Sequence, residues 1–205
     1  MKLSQLFNKF KILFETFFIY YRLYYINTNK IKFKEINLNS KFELKILNIE
    51  DLYLFDFYEL PNNYLKIYAD RLKNSNFICF RVLDISNNRL AYYSWINFEK
   101  KTYCKEIKKS LELKNKNACL FEDDNTHLEY RNCKIHSFVM NERLKYCISN
   151  NISKAYIVIH PFNIPAIKTI SKYKFKKIIH IPISYRDNSI QLFIKKLISF
   201  EKFCK

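Results

Sequence analysis

Tyr130-Arg131-Asn132-Cys133-Lys134-Ile135-His136-Ser137-Phe138 decides the fold, because of what stands on either side of it. Upstream, residues 118–121 are a short apolar run that ends in Glu122-Asp123-Asp124, and they read as a strand with an acidic end. Downstream, residues 134–149 place Ile135, Val139, Leu144, Cys147 and Ile148 on one broad face at helical spacing. Residues 155–159, Ala-Tyr-Ile-Val-Ile, then read as a buried strand. The quoted stretch is therefore the loop that opens a helix inside a strand–helix–strand unit. A helix that crosses over in this way leaves its two strands parallel.

The rest of the chain is read outward from that unit. After it, His160-Pro161-Phe162 makes a corner, Asn163 is a good N-cap, and Pro165 falls in the first turn of the helix that follows. Residues 175–183 are a further strand, and periodicity leaves 190–200 open between strand and helix. Before it, 41–47 alternates Phe42, Leu44 and Ile46 with polar partners, as a strand does. Asn48 then opens a helix carrying Ile49, Leu52, Leu54 and Phe55, and a second helix follows Pro61. Residues 77–83 and 90–98 are aromatic and β-branched, joined through Ser86-Asn87-Asn88. Asn accepts the left-handed conformation that glycine usually supplies, so they form a hairpin. The Lys-rich stretch 100–117 reads as a solvated loop or short helix. The expected sheet has 77–83, 90–98 and 118–124 antiparallel and 154–160 parallel to the last of these. The class is α/β (α+β), a mixed and mostly antiparallel sheet flanked by helices, in one domain over residues 36–205.

Residues 1–35 stand apart as an amphipathic helical segment. Leu3, Leu6, Phe7, Phe10, Leu13, Phe14, Phe17 and Phe18 recur at three and four. Glu15 and Arg22 interrupt the apolar run, which is too short for a membrane span. Residues 1–30 either dock on the domain or anchor it peripherally to an anionic leaflet, since Lys2, Lys9, Lys11 and Arg22 flank an aromatic face.

Composition narrows the function less than the motifs do. The chain has no glycine, where average usage predicts about fourteen residues. Lys, Asn, Ile, Phe and Tyr, all drawn from A/T-rich codons, are abundant, so codon bias accounts for both facts. The same bias supplies much of the net charge of +17, and the lysines are scattered rather than grouped in a basic aromatic motif. No nucleic-acid partner is expected. Six cysteines contain no Cys-x-x-Cys pair, and the four histidines complete no zinc pattern, so no metal is expected. Cys79 and Cys119 lie in strand-like runs as buried thiols, which suits a reducing cytoplasm.

The quoted loop resembles the acyl-CoA pyrophosphate loop of the GNAT superfamily, Arg/Gln-x-x-Gly-x-Gly/Ala. Asn163-Ile164-Pro165-Ala166 and Lys172-Tyr173-Lys174-Phe175 are similar to that family's Asn-x-x-Ala helix and its closing Lys-x-Gly-Phe. The order of strands and helices over about 41–183 agrees as well. The resemblance implies a GNAT-type sheet whose central parallel strands splay, with acetyl-CoA or another acyl-CoA between them as cosubstrate. Arg131, Asn132, Cys133, Lys134, Ile135 and His136 would then hold the pyrophosphate, and Asn163 and Ala166 the pantetheine region. Elementary electrostatics agrees, because a helix N-terminus offers unpaired N–H groups and a positive dipole end to a diphosphate. Lys134, His136 and Lys174 stand where the family has glycine or alanine. Lys134 adds a cation in exchange for the lost backbone freedom.

For chemistry, the carboxylates of Glu122 and Asp123 are the candidate bases, at the strand end beside the acyl group. The family often places a Tyr seven residues after the Asn; here that position is Ile170, and Tyr173 lies almost one turn on as the candidate acid. The implied activity is N-acyl transfer to an amine on a small molecule, a sugar or a protein. The competing reading is a non-catalytic binding module that kept the fold, held at the inner face of a membrane through residues 1–30.

Overall fold

The structure is a computed structural model that describes residues 20–182, except 32, 34, 105, 106, 108, 114 and 161. In chain order its elements are β1 (Tyr20–Asn27), β2 (Phe42–Ile46), α1 (Asn62–Lys73), β3 (Phe77–Asp84), β4 (Arg89–Asn97), β5 (Lys101–Cys104), β6 (Lys109–Glu112), β7 (Ala118–Thr126), α2 (Ile135–Ser149), β8 (Lys154–Ile159), α3 (Ile164–Lys172) and β9 (Lys176–Pro182). Seven strands make one sheet in the order β2-β3-β4-β7-β8-β1-β9. Each neighbouring pair in it is antiparallel except β7 with β8, which is parallel as the crossover helix requires. The mixed, mostly antiparallel sheet is the one the sequence predicts.

Period-two alternation in the strands builds two cores, one on each face. Tyr92 and Ile96 of β4 turn toward Val139 and Leu144 of α2 and Ile170 of α3. Tyr93 and Trp95, the alternate residues, turn toward Tyr68 of α1 and toward Leu54 and Phe55. Both faces being covered, eight of the nine residues of β4 are buried. Leu54 and Phe55 belong to a 3-10 helix, Ile49–Tyr58, whose start is fixed by a reciprocal capping box between Asn48 and Asp51.

Three expectations need correction. The helical segment expected over residues 1–35 is not helical where the described residues begin: Tyr20–Asn27 is a strand between β8 and β9. Its periodicity is two, with Tyr24 and Ile26 in the α2-side core and Tyr21 and Leu23 on the opposite face. The apolar helical repeat of residues 3–18 lies outside the described residues, as does 190–200. The stretch 100–117 is neither loop nor helix but carries the β5–β6 hairpin. Cys104, Ile107 and Leu111 of that hairpin pack on Tyr21, Leu23 and Val158, an apolar minority hidden among lysines. Ile148, expected on the buried face of α2, is 38% exposed.

The absence of glycine leaves a record in the backbone. Among the described residues seven have φ between 48° and 65°: Glu59, Asn88, Asp123, Asn132, Lys134, Asn151 and Lys174. Asn88 closes the β3–β4 hairpin as expected. Asn151 and Lys174 end α2 and α3 in Schellman motifs: Ile152 N–H donates to the Cys147 carbonyl at 2.8 Å, and Phe175 N–H to the Ile170 carbonyl at 3.4 Å.

Candidate active site

The site begins where the parallel pair fails. Ala118 to Phe121 pair with Lys154 to Ile157, and beyond that point β7 and β8 part. On its other side β7 stays paired with β4, but Trp95 faces Glu122 and Tyr93 faces Asn125, so Asp123 and Asp124 together stand opposite Ser94. This is a β-bulge, and Asp123 takes it up with φ 53°. Bulge and splay together open a cleft through the sheet. On the α2 side the cleft is a cavity of about 600 Å³ lined by residues 130–137. On the α1 side it is a cavity of about 590 Å³ lined by α1, the β5–β6 hairpin and the ends of β7 and β8. Asp124, Asn125, Asn163 and Ala166 line both, so the two cavities are the halves of one cleft. Each half falls in the size range of small-ligand sites, about 300–1,000 Å³.

The α2-side half suits an anion. Helix α2 starts after Lys134, whose φ of 61° turns the chain into the helix and which offers no side-chain cap. The first intrahelical bond is from Phe138 N–H to the Lys134 carbonyl at 3.0 Å, so the N–H groups of Ile135, His136 and Ser137 precede the ladder. No acidic residue occupies the first turn. Arg131, Asn132, Cys133 and Lys134 are exposed around this helix start. Thus the structure brings six of the predicted cofactor residues, 131–136, to one wall. Asn163 and Ala166 reach the same cleft from α3, where Asn163 Oδ1 caps the helix by accepting from Ala166 N–H at 3.2 Å.

Below the helix start lies a cluster of paired charges. Arg143, fully buried, donates to both oxygens of Asp124 at 2.6 and 2.7 Å and lies 4.3 Å over the Phe121 ring. His136 Nε2 is 3.2 Å from Asp124 Oδ2. Desolvation pushes the Asp124 carboxyl up, but the Arg143 guanidinium and His136 outweigh it and hold the group below the usual carboxylate range.

The predicted carboxylates stand on the α1-side half. Arg71, from the last turn of α1, donates to Glu122 Oε2 at 2.8 Å and to Asp123 Oδ2 at 2.6 Å. Asn97 Nδ2 donates to Glu122 Oε1 at 2.7 Å. The Arg71 guanidinium is itself wedged among the rings of Tyr68, Phe77 and Trp95. Glu122 and Asp123 are therefore fixed carboxylates facing a cavity, not a solvated strand end. Burial, reinforced for Tyr68 by the Asp123 charge and for Tyr92 by that of Asp124, keeps those two phenols well above their ordinary range. Both are hydroxyl donors rather than phenolates. His160 also lines this half, and its Nδ1 accepts from Phe162 N–H at 3.2 Å.

Tyr173 is not brought to the cleft. It is buried under α2, where its hydroxyl meets Asn141 Oδ1 at 2.7 Å and the Ser137 carbonyl at 3.0 Å. Desolvation pushes its phenol up to about 12. One helical turn from Ile170 carries it into the core, not toward β7. The sequence reading also missed Arg71, Arg143 and Asn97. Arg143 had a visible signal, because Val139, Arg143 and Cys147 share one helical stripe and a charge in an apolar stripe demands a partner. Arg71 had none, since its acidic partners are about fifty residues away in sequence.

No known family's sequence profile matches the chain, and no curated protein matches it in sequence. Solved structures match it in shape. A tandem GNAT protein from the clavulanic acid biosynthesis pathway superposes with a TM-score of 0.57 at 12% identity, over 78% of this chain and 50% of that one. This chain thus spans about half the length of the tandem protein. The aminoglycoside acetyltransferase AAC(6')-Iy, solved with a bisubstrate analogue containing CoA, superposes with a TM-score of 0.54 at 11% identity, over 73% of this chain and 99% of that one.

Proposed function

The chain has the fold of the GNAT acetyltransferases, and from that premise we propose that it is an acyl-CoA-dependent N-acyltransferase acting on an amine. Fold alone does not fix an activity, so the reading rests on the site. Its main support is the cleft at the β7–β8 splay, with unpaired helix N–H groups and two cations on one side of the sheet and fixed carboxylates on the other. In this reading the coenzyme diphosphate lies against Ile135, His136 and Ser137 N–H with Arg131 and Lys134 beside it. Asn163 and Ala166 flank the pantetheine arm in the gap. The amine arrives from the α1 side, and Asp123 or Glu122 takes the proton it sheds. Its nitrogen attacks the thioester carbonyl, the C–S bond breaks, the thiolate leaves and is protonated, and an amide remains. Arg71 holds both carboxylates at the cavity wall, where an incoming amine meets them. The free thiols of Cys119 and Cys147, 3.5 Å apart, support a reducing, cytoplasmic setting.

Release of free thiol from acetyl-CoA, followed with and without a panel of amines, tests the reading. Amine-dependent release that falls at least tenfold in Asp123→Asn is the expected result. Amine-independent release, or none at millimolar acetyl-CoA, contradicts it.

A further inference from the structure

Charge is segregated across the cleft in a way the chain's composition does not predict. Lys and Arg make up 36 of 205 residues, and two of them, Arg131 and Lys134, line the α2-side half. Among the described residues no Lys or Arg lines the α1-side half, although it is of the same size. Its charged lining is Glu122, Asp123 and Asp124. The arginines that hold these carboxylates reach them from behind the wall. Asn125, His160 and Asn163 add polar groups at the sheet end of the cavity, and much of the remaining wall is apolar: Leu60 and Pro61 just before α1, Leu120 and Val158 on the sheet, and Tyr64 and Cys104 to the sides. The hydroxyls of Tyr68 and Tyr93 are 3.2 Å apart and bond each other.

We propose that the α1-side half takes a primary amine with an aromatic or branched apolar body and no anionic group, its ammonium set toward Glu122 and Asp123. The proposal rests on the acyltransferase reading and names the acceptor for it. An ammonium gains from carboxylates in a cavity that no described Lys or Arg lines. A carboxylate on the same ligand faces like charges and loses affinity. A polyhydroxylated amine leaves hydroxyls against Leu60, Leu120 and Val158 without partners, each an unmade hydrogen bond. An apolar body instead gains from displacing water off those walls.

Phenethylamine, phenylalanine and glucosamine serve as probes, with binding to the full chain followed by NMR in the presence of CoA and thiol release from acetyl-CoA followed separately. Phenethylamine is expected to bind and react at least about tenfold better than either of the others. Pro61→Lys puts a cation at an exposed position on the cavity rim, and is expected to weaken phenethylamine binding about tenfold while leaving acetyl-CoA binding in place. Preference for phenylalanine or glucosamine, or an unaltered affinity in Pro61→Lys, overturns the proposal even if acyl transfer is observed. Binding of phenethylamine with no thiol release from any amine sustains this cavity's ligand class and removes the acyltransferase reading instead. No binding of phenethylamine at about ten millimolar overturns the proposal outright.

Discussion

Lys174 sits at φ 61° in the position after the α3 cap, where only the lack of a side chain makes the left-handed conformation inexpensive. A non-glycine residue there costs roughly 1–2 kcal/mol. Lys174→Gly is therefore expected to stabilise the fold by about 1 kcal/mol, read as a rise of roughly 2–4 °C in melting temperature. A fall in melting temperature would contradict the account of that turn. Lys134 has the same backbone, but its charge belongs to the site. Lys134→Gly separates the two effects, with higher stability expected beside weaker and less salt-sensitive acetyl-CoA binding. Tyr173→Phe tests the role that sequence assigned to this residue. It removes the hydroxyl that meets the buried Asn141 Oδ1, so a loss of about 1 kcal/mol in urea unfolding is expected with the rate of acyl transfer unchanged. Which residues enter the cleft was legible where a local pattern settles it. Arg131 to His136 follow from a helix start, and Asn163 from a cap. Tyr173 and Arg71 were not, because a single turn of helix or a contact across fifty residues decides where each points.

At the scale of elements, α2 and β7 are joined by Arg143 and Asp124, and that joint fixes the cleft on its α2 side. Asp124 has a lowered value in the folded protein, so it binds its proton less readily there than in the unfolded chain, whose ordinary value is about 3.9. The stability it contributes is present above that ordinary value and is lost as pH falls through the lowered folded one. Arg143→Met removes the cation from a desolvated carboxylate. The cost is expected to be about 3–5 kcal/mol near neutral pH. With only His136 left to oppose burial the carboxyl shifts upward, so the variant recovers part of this loss on acidification, where the wild type does not. Urea midpoints from pH 4 to 7 check this; parallel pH profiles for the two proteins would contradict it. The strand–helix–strand unit itself was legible because its periods change cleanly from two to about 3.6 and back. The β5–β6 hairpin was not, since its buried residues are few and its lysines dominate any window through 100–117.

Across the whole molecule, the seven-stranded sheet sets strand β1, from the beginning of the described residues, between β8 and β9, from their end. Deleting residues 1–30 removes that strand and is expected to abolish cooperative thermal unfolding. A truncation ending at residue 19 spares it, and is the variant in which vesicle binding by the amphipathic segment is properly tested. Loss of binding to anionic vesicles in that variant is expected if the segment is a peripheral anchor, with salt weakening the intact protein's association. The helical period of residues 3–18 concealed β1, because aromatic residues continue across the boundary and only their spacing changes. Strand order was legible from the central unit outward as far as β3. The insertion of β1 was not, since pairing between distant segments leaves no mark in local periodicity. The central claim, that a coenzyme diphosphate is held at the start of α2 and its thioester reaches the bulge in β7, is tested most directly by backbone amide NMR during titration with acetyl-CoA. The expected result is saturable shifts at Ile135, His136 and Ser137 and at Asp123 to Asn125; amides at both places that do not move at millimolar acetyl-CoA would contradict the claim.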